Sequence, residues 1–172
     1  MSAKAGSITV VTFDDLTGSG LVADGYGGIN WNGNWTYYGS LQPPYTAASS
    51  PNRVYDLPDG GNSFNFVTPQ VFDGAFFSGY SFAAVTFELF NGATLVWTSG
   101  TLDPSSTPAF LASGYSGLVT SVDVLSPGPD NFVMDNVTYG TNTSATPEPS
   151  SFLLFGTGLL GSLGMLRRKL AS

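Results

Sequence analysis

Short runs of β-branched and aromatic residues alternate with turn residues throughout residues 7–139. None of these runs shows the apolar spacing of an amphipathic helix. The chain contains 22 glycines and 11 prolines, which favour turns and interrupt helices. About seven to nine short strands joined by turns are typical of an all-β domain. We therefore predict an antiparallel β-sandwich, an eight-stranded jelly roll, over residues 6–140.

Residues 29–37 follow the two-residue period of a β-strand. The apolar and aromatic side chains of this stretch share one parity: Ile29, Trp31, Trp35 and Tyr37. The pattern predicts one or two strands with these side chains buried, which leaves Tyr38 among the exposed aromatic residues. Residues 40–62 contain four prolines and predict long loops with at most one short strand, whereas residues 63–67 predict a further strand.

A β-hairpin is predicted where Asn91-Gly92 separates residues 83–90 from residues 93–98. Asn-Gly between two strands is the strongest short-range signal for a type I′ turn. A two-residue loop at this dipeptide places Phe87 opposite Val96. One face of the hairpin is expected in the core: Val85, Phe87, Leu89 and Val96. The other is expected to be partly exposed: Thr86, Glu88, Phe90, Leu95 and Trp97.

The sequence contains neither histidine nor cysteine. This excludes thiol nucleophiles, Cys-based metal sites and the usual His-dependent acyl-transfer triads. A glycosidase needs two carboxyl groups about 5–10 Å apart in a cleft, and no motif marks such a pair. We therefore expect a protein that is not an enzyme.

Charge is divided unevenly along the chain. Residues 1–150 contain all twelve acidic residues and only Lys4 and Arg53 as basic residues, a net charge of −10, whereas the last residues carry +3. An acidic body is repelled by phosphate backbones, so no nucleic-acid partner is expected.

Hard oxygen ligands cluster near the first and last predicted strands, and pairing of these strands would bring them together. The candidate ligands for a structural Ca²⁺ ion are Asp14, Asp15, Asp130, Asn131, Asp135 and Asn136. The alternative is that these Asp and Asn side chains only cap turns and face water.

Carbohydrate recognition is a further possibility, because exposed aromatic rings stack on sugars while polar groups hold the hydroxyls. Tyr38 and Trp97 are the aromatic candidates for contact with an extracellular polysaccharide, with Glu88 as a polar partner. The other aromatic residues at strand spacing are expected in the core.

The C-terminal segment has three features in a fixed order. Pro147-Glu148-Pro149 precedes an uncharged, Leu- and Gly-rich stretch at residues 152–166, and Arg167-Arg168-Lys169 follows at once. Fifteen helical residues rise about 22 Å, which is short for a hydrocarbon core of about 30 Å unless the basic side chains extend to the head groups. The basic cluster predicts a cytoplasmic end, with the preceding body outside.

This order of features resembles the PEP-CTERM sorting signal of exported bacterial proteins. The resemblance implies recognition and processing by an exosortase, a membrane-embedded protease-transpeptidase, with one short transmembrane-type helix as a temporary anchor. It assigns the sorting signal to residues 147–170, after a polar linker at residues 141–146, and makes Pro147, Glu148, Pro149, Arg167, Arg168 and Lys169 the sorting motif.

A second resemblance involves the body. Residues 13–16 (FDDL) and 131–139 (NFVMDNVTY) are similar to stretches of PEP-CTERM proteins with a sandwich like that of carbohydrate-binding modules. The expected product is an exported surface or matrix protein with a structural or adhesive body, or alternatively a carbohydrate-binding module. An export signal is expected before the body. Ala3-Lys4-Ala5 resembles a cleavage site without an apolar region before it, so we expect the signal to lie upstream.

Overall fold

The structure is a computed structural model and describes residues 6–56, 63–128 and 131–141. These residues form eleven β-strands and one short 3₁₀ turn at Tyr26–Gly28. The strands are β1 (Ile8–Val11), β2 (Ser19–Leu21), β3 (Ile29–Asn30), β4 (Trp35–Tyr38), β5 (Arg53–Asp56), β6 (Ser63–Gly79), β7 (Thr86–Asn91), β8 (Thr94–Thr98), β9 (Ala109–Ala112), β10 (Val119–Leu125) and β11 (Phe132–Gly140). The predicted all-β antiparallel fold is confirmed, with more strands than the eight expected.

The strands pair antiparallel in the order β2-β4-β5-β11-β6-β10-β7-β8. Strand β6 is 17 residues long and belongs to two layers. Its first half pairs with β3 and β10, and its second half pairs with β9 and β11. We call β3, β10, β7, β8 and the first half of β6 the hairpin layer. We call β1, β2, β4, β5, β9, β11 and the second half of β6 the terminal layer, because it contains the first and last strands.

The core lies between the two layers and is largely aromatic. Phe72 of the terminal layer contacts Phe87 of the hairpin layer with ring centroids 4.9 Å apart. Trp31 packs edge-on against Trp35, and both rings are fully buried. Alternation along each strand directs these side chains inward, so the opposite side of the terminal layer is available for other groups.

A long segment, residues 39–52, covers part of that opposite side. Its backbone is held by buried polar side chains that project from the strands: the Ser78 Oγ atom accepts a hydrogen bond from the Thr46 N–H group at 2.7 Å and donates one to the Thr46 carbonyl at 2.6 Å. The predicted long loop is therefore packed against the sheet, and the one short strand expected within residues 40–62 is β5.

The hairpin is confirmed, but its predicted register is wrong. The turn residues are Gly92 and Ala93, so Asn91 pairs with Thr94 and Phe90 pairs with Leu95. Gly92 has a φ of 63° while Ala93 keeps a negative φ, which is the pattern of a type II′ turn. A bulge then shifts the ladder so that Leu89 lies opposite Trp97. Burial follows the prediction for most of the hairpin: Val85, Phe87 and Leu89 are buried, and Leu95 and Trp97 are exposed. Val96, expected in the core, is only partly buried.

The predicted strand at residues 63–67 is also longer than expected. It continues through Pro69 to Gly79. Pro69 has no N–H group to donate, and it is tolerated because the ladder with β10 is irregular between the Asn65 and Gln70 pairs. The linker beyond residue 141 and the C-terminal helix lie outside the described residues, and the domain boundaries stay a prediction.

Candidate functional site

A cleft lined by three tyrosines lies on the outer side of the terminal layer. Its volume is about 460 Å³, within the range of about 300–1,000 Å³ typical of small-ligand sites. The lining residues are Ser19, Tyr38, Gln42, Tyr45, Tyr55, Phe132 and Val133. We call this the tyrosine cleft. It combines aromatic surface with a hydroxyl, an amide and phenolic groups, which is a chemistry suited to sugars.

Tyr38 is the best-anchored ring of the tyrosine cleft. The Arg53 guanidinium lies 4.0 Å from the centroid of the Tyr38 ring, in a cation–π arrangement. The Tyr55 ring packs edge-on against it at 5.4 Å. Strand pairing produces this group, because Tyr38 lies opposite Arg53 in the β4–β5 ladder. Burial raises the pKa of the Tyr38 hydroxyl, while Arg53 lowers it; the net effect is upward, so the phenol is neutral and can donate a hydrogen bond at neutral pH.

Arg53 is buried and supports residues that line the tyrosine cleft. It is 3% exposed, and its Nη2 atom donates a hydrogen bond to the Ser40 carbonyl. The same side chain therefore supports Tyr38 and ties down the start of residues 39–52. Because it is buried and contacts these two neighbours, Arg53 acts as a structural support for the cleft.

Asp135 anchors the segment that contributes Gln42 and Tyr45 to the cleft. The Asp135 Oδ2 atom accepts hydrogen bonds from the Ala48 and Ser49 N–H groups, each at 2.8 Å. The Asn136 side chain accepts another from the Ser49 hydroxyl at 2.8 Å. Together with Ser78, these contacts fix the chain directly after Tyr45. Burial raises the pKa of Asp135 to about 7, although the backbone donors at Ser49, Asn136 and Ala48 oppose the shift.

A second cleft of about 570 Å³ lies beside the first and shares Ser19 and Tyr38 with it. Its other lining residues are Asp14, Leu16, Thr17, Gly18, Gly39, Ser40, Pro51 and Asn52. We call this the Asn52 cleft. The buried Asn52 side chain donates to the Phe13 carbonyl at 2.8 Å and to the Leu16 carbonyl at 2.7 Å. These bonds join the end of residues 39–52 to the turn after β1.

Four of the calcium candidates, Asp14, Asp15, Asp135 and Asn136, make side-chain hydrogen bonds with the protein. The Asp14 Oδ1 atom accepts from the Asn52 N–H group at 3.0 Å, and an Asp15 oxygen accepts from the Tyr26 hydroxyl. Among the described residues no group of three or more acidic side chains has the spacing of a metal site. Asn131 lies before β11, and Asp130 lies outside the described residues. Binding of Ca²⁺ stays a prediction.

The three carbohydrate candidates are not brought together. Tyr38 lines both clefts of the terminal layer. Trp97 is 43% exposed on β8, where it stacks on Tyr115 and donates to the Ser113 carbonyl at 2.8 Å. Glu88 lies on β7 directly opposite Asp123 of β10, both in the hairpin layer. Burial and then the Glu88 charge raise the pKa of Asp123.

Neither Glu88 nor Asp123 lines the tyrosine cleft or the Asn52 cleft. The cleft residues that sequence reasoning missed are Gln42, Tyr45 and Tyr55. Tyr55 alternates with buried Val54 in β5, which is a usable signal once β5 is recognised. Gln42 and Tyr45 lie in a proline-rich segment without periodicity, so no sequence signal marks them as cleft residues.

The sorting residues, from Pro147 to Lys169, lie outside the described residues. Within the part of the chain that the structure describes, no helix has the length and apolar character needed to cross a membrane. The membrane helix predicted at residues 152–166 therefore stays a prediction.

Three solved structures of family 29 carbohydrate-binding modules have a similar jelly-roll-like arrangement of strands. A variant complexed with mannohexaose is 17% identical, with 81% of this chain and 94% of that chain covered and a TM-score of 0.47. Another variant is 14% identical, with 84% of this chain and 99% of that chain covered and a TM-score of 0.47. A third structure is 13% identical, with coverage of 86% and 98% and a TM-score of 0.41.

No curated protein matches this sequence. The C-terminal segment does match a family model, the PEP-CTERM protein-sorting motif, over residues 145–169. The match includes the Pro-Glu-Pro tripeptide, the apolar stretch and the basic cluster in the expected order. The chain therefore carries a PEP-CTERM protein-sorting motif, which indicates an exported protein that is processed at the cell envelope.

Proposed function

We propose that this protein is a non-enzymatic component of the bacterial cell surface or extracellular matrix, delivered there by exosortase processing of its C-terminus. The sorting motif at residues 145–169 carries this proposal. Its apolar stretch holds the protein in the membrane temporarily, and the exosortase then acts near Pro147. The β-sandwich that precedes it is the part that remains outside and has a structural or adhesive role.

Removal of residues 147–172 tests the sorting step. We expect the intact protein to reach the surface in a form shortened at its C-terminus, and only when the exosortase gene is present. The truncated protein should lose surface attachment and accumulate in the medium or the periplasm. An unchanged surface location of the truncated protein, or processing in a strain without the exosortase, would contradict the proposal.

A second function is favoured by the tyrosine cleft: recognition of an extracellular polysaccharide by the body. Three phenol rings, an exposed Gln42 side chain and the Ser19 hydroxyl surround one cavity. Aromatic faces bury the apolar faces of sugar rings, and the polar groups pair with the hydroxyls. Because the rings are supported by Arg53 and by the anchored segment 39–52, the cleft is preformed, which reduces the entropy lost on binding.

Two matched variants test this recognition. Tyr45→Ala removes one wall of the tyrosine cleft, whereas Trp97→Ala removes the other exposed aromatic candidate in the opposite layer. We expect the wild-type protein and Trp97→Ala to retain a polysaccharide on an affinity gel, and Tyr45→Ala to lose at least about tenfold in affinity, or about 1.4 kcal/mol. Circular dichroism should report the same fold for all three. The opposite result would place recognition on the hairpin layer.

A further inference from the structure

We propose that the tyrosine cleft and the Asn52 cleft form one continuous binding path for a linear, uncharged polysaccharide, with Tyr38 at its middle. This inference rests on the proposed carbohydrate recognition and specifies the ligand. It makes two statements that can be tested separately: the ligand is longer than the tyrosine cleft alone accommodates, and it carries no negative charge.

The first statement follows from the geometry that the two clefts share. Ser19 and Tyr38 line both of them, so the two clefts meet at these two residues. Together they border the terminal layer from Val133 of β11 past β4 to the turn before β2. Each cavity is large enough to hold a small ligand by itself. A chain of several sugars would contact both cavities, whereas a disaccharide would occupy one.

The two clefts have different linings, one aromatic and one polar, and a sugar chain could use both. The tyrosine cleft supplies aromatic surface for stacking, from Tyr38, Tyr45 and Tyr55. The Asn52 cleft instead supplies short polar groups, among them the exposed Thr17 and Ser40 side chains. The hydroxyl groups of sugars in the Asn52 cleft could exchange hydrogen bonds with these side chains. The Asn52 amide nitrogen is already bonded to two carbonyl groups and serves to hold the wall.

The middle of the path is rigid. The Tyr38 ring is held by the Arg53 guanidinium at 4.0 Å and by the Tyr55 ring at 5.4 Å. Its hydroxyl is a neutral donor at neutral pH, since the pKa of a tyrosine is near 10 and burial raises that of Tyr38 further. A ring fixed in this way borders both clefts without having to move, which reduces the entropy lost when a sugar chain binds along them.

The second statement follows from charge. The whole chain has twelve acidic and five basic residues, and Arg53 is the one basic residue between residues 6 and 141. Arg53 is buried beneath Tyr38 and bonded to the Ser40 carbonyl, so it cannot form an ion pair with a uronate or a sulfate. Asp14 adds a carboxylate to the Asn52 cleft. An anionic polysaccharide would bring like charges together without a compensating cation, which is unfavourable.

The test uses the full chain and two ladders of oligosaccharides. The uncharged ladder contains disaccharides to hexasaccharides of glucose, mannose, xylose and galactose, and the anionic ladder contains galacturonic acid oligomers of equal length. Calorimetry should give hexasaccharide affinities at least tenfold above those of the disaccharides for an uncharged sugar, and no measurable binding of the galacturonic acid oligomers at low ionic strength.

Thr17→Leu supplies the discriminating variant, because Thr17 lines the Asn52 cleft and is absent from the tyrosine cleft. The added side chain should reduce the hexasaccharide affinity to nearly that of the disaccharide and leave disaccharide binding unchanged. Equal affinities for disaccharide and hexasaccharide in the wild type would overturn the continuous path, and tight galacturonate binding would overturn the charge assignment. If the wild-type protein binds no sugar in either ladder, the proposed recognition itself fails.

Discussion

At the scale of single residues, acidic side chains near the first and last strands bind the backbone of the segment at residues 39–52. Asp14 binds the backbone of Asn52, and Asp135 binds the backbone of Ala48 and Ser49. The sequence places these oxygens near each other because β1 pairs with β11, as the calcium prediction assumed. What it does not reveal is that residues 39–52 return to the same place and supply N–H donors.

Asp135 makes the stability of the fold depend on pH. Its pKa is about 7 in the folded protein, raised by burial, and about 3.9 in an unfolded chain. A carboxyl group with a raised pKa contributes stability that is present in full below about pH 4 and is lost as the pH rises through about 7. We expect the urea midpoint of the wild-type protein to decrease as the pH is raised from about 5 to about 8.

Two variants isolate this effect. Asp135→Asn keeps the shape but cannot ionise, so its midpoint should be nearly independent of pH over this interval, although lower at pH 5 because one backbone acceptor is lost. Asp103→Asn, at an exposed position, should keep the wild-type slope. A slope that survives in Asp135→Asn would assign the pH dependence to another group.

At the scale of elements, strand β6 links the two layers and depends on a glycine. Gly74 has a φ of 143°, and a Cβ atom there would lie 2.1 Å from the Leu111 carbonyl oxygen of β9. Backbone of this kind is accessible essentially to glycine alone, and the neighbouring strand cannot give way as a flexible side chain could. The close approach of β9 to β6 is therefore a property of this one residue.

Gly74→Ala should reduce the free energy of unfolding by more than about 2 kcal/mol, because it combines a strained φ with a backbone clash. Gly100→Ala is the matched control, since a Cβ atom at Gly100 meets nothing within 4 Å and should change stability by less than about 0.5 kcal/mol. Urea unfolding measures both. Equal stabilities of the two variants would show that β9 moves freely.

Sequence patterns predicted the strands and their buried faces better than the register and the tertiary contacts between strands. The buried parity of residues 29–37 and the two faces of the hairpin could be predicted because burial follows local alternation. The hairpin register could not, since the position of the turn shifts the pairing by two residues and a later bulge shifts it by one more. The tyrosine cleft was less accessible still: Tyr38, Tyr45 and Tyr55 come from three segments that only tertiary packing unites.

At the scale of the whole molecule, charge divides the chain into an acidic body and a basic end. Residues 1–150 carry −10, whereas Arg167, Arg168 and Lys169 give the tail +3. Basic residues next to an apolar membrane segment favour the cytoplasmic side, so we expect the basic tail to orient the chain with Pro147 outside. An acidic body repels anionic partners, which agrees with the uncharged polysaccharide that we propose as the ligand.

Replacement of Arg167, Arg168 and Lys169 by glutamine tests this division without removing the apolar stretch or the Pro-Glu-Pro tripeptide. Orientation depends on basic residues close to the end of a membrane segment, so the variant should lose its fixed orientation and leave Pro147 unprocessed. Gel mobility would then report a full-length protein in the membrane fraction. Lys4→Gln removes one positive charge far from the motif and should be processed as the wild type. Normal processing of the triple variant would mean that Pro147-Glu148-Pro149 and the apolar stretch suffice, and that the basic cluster does not orient the chain.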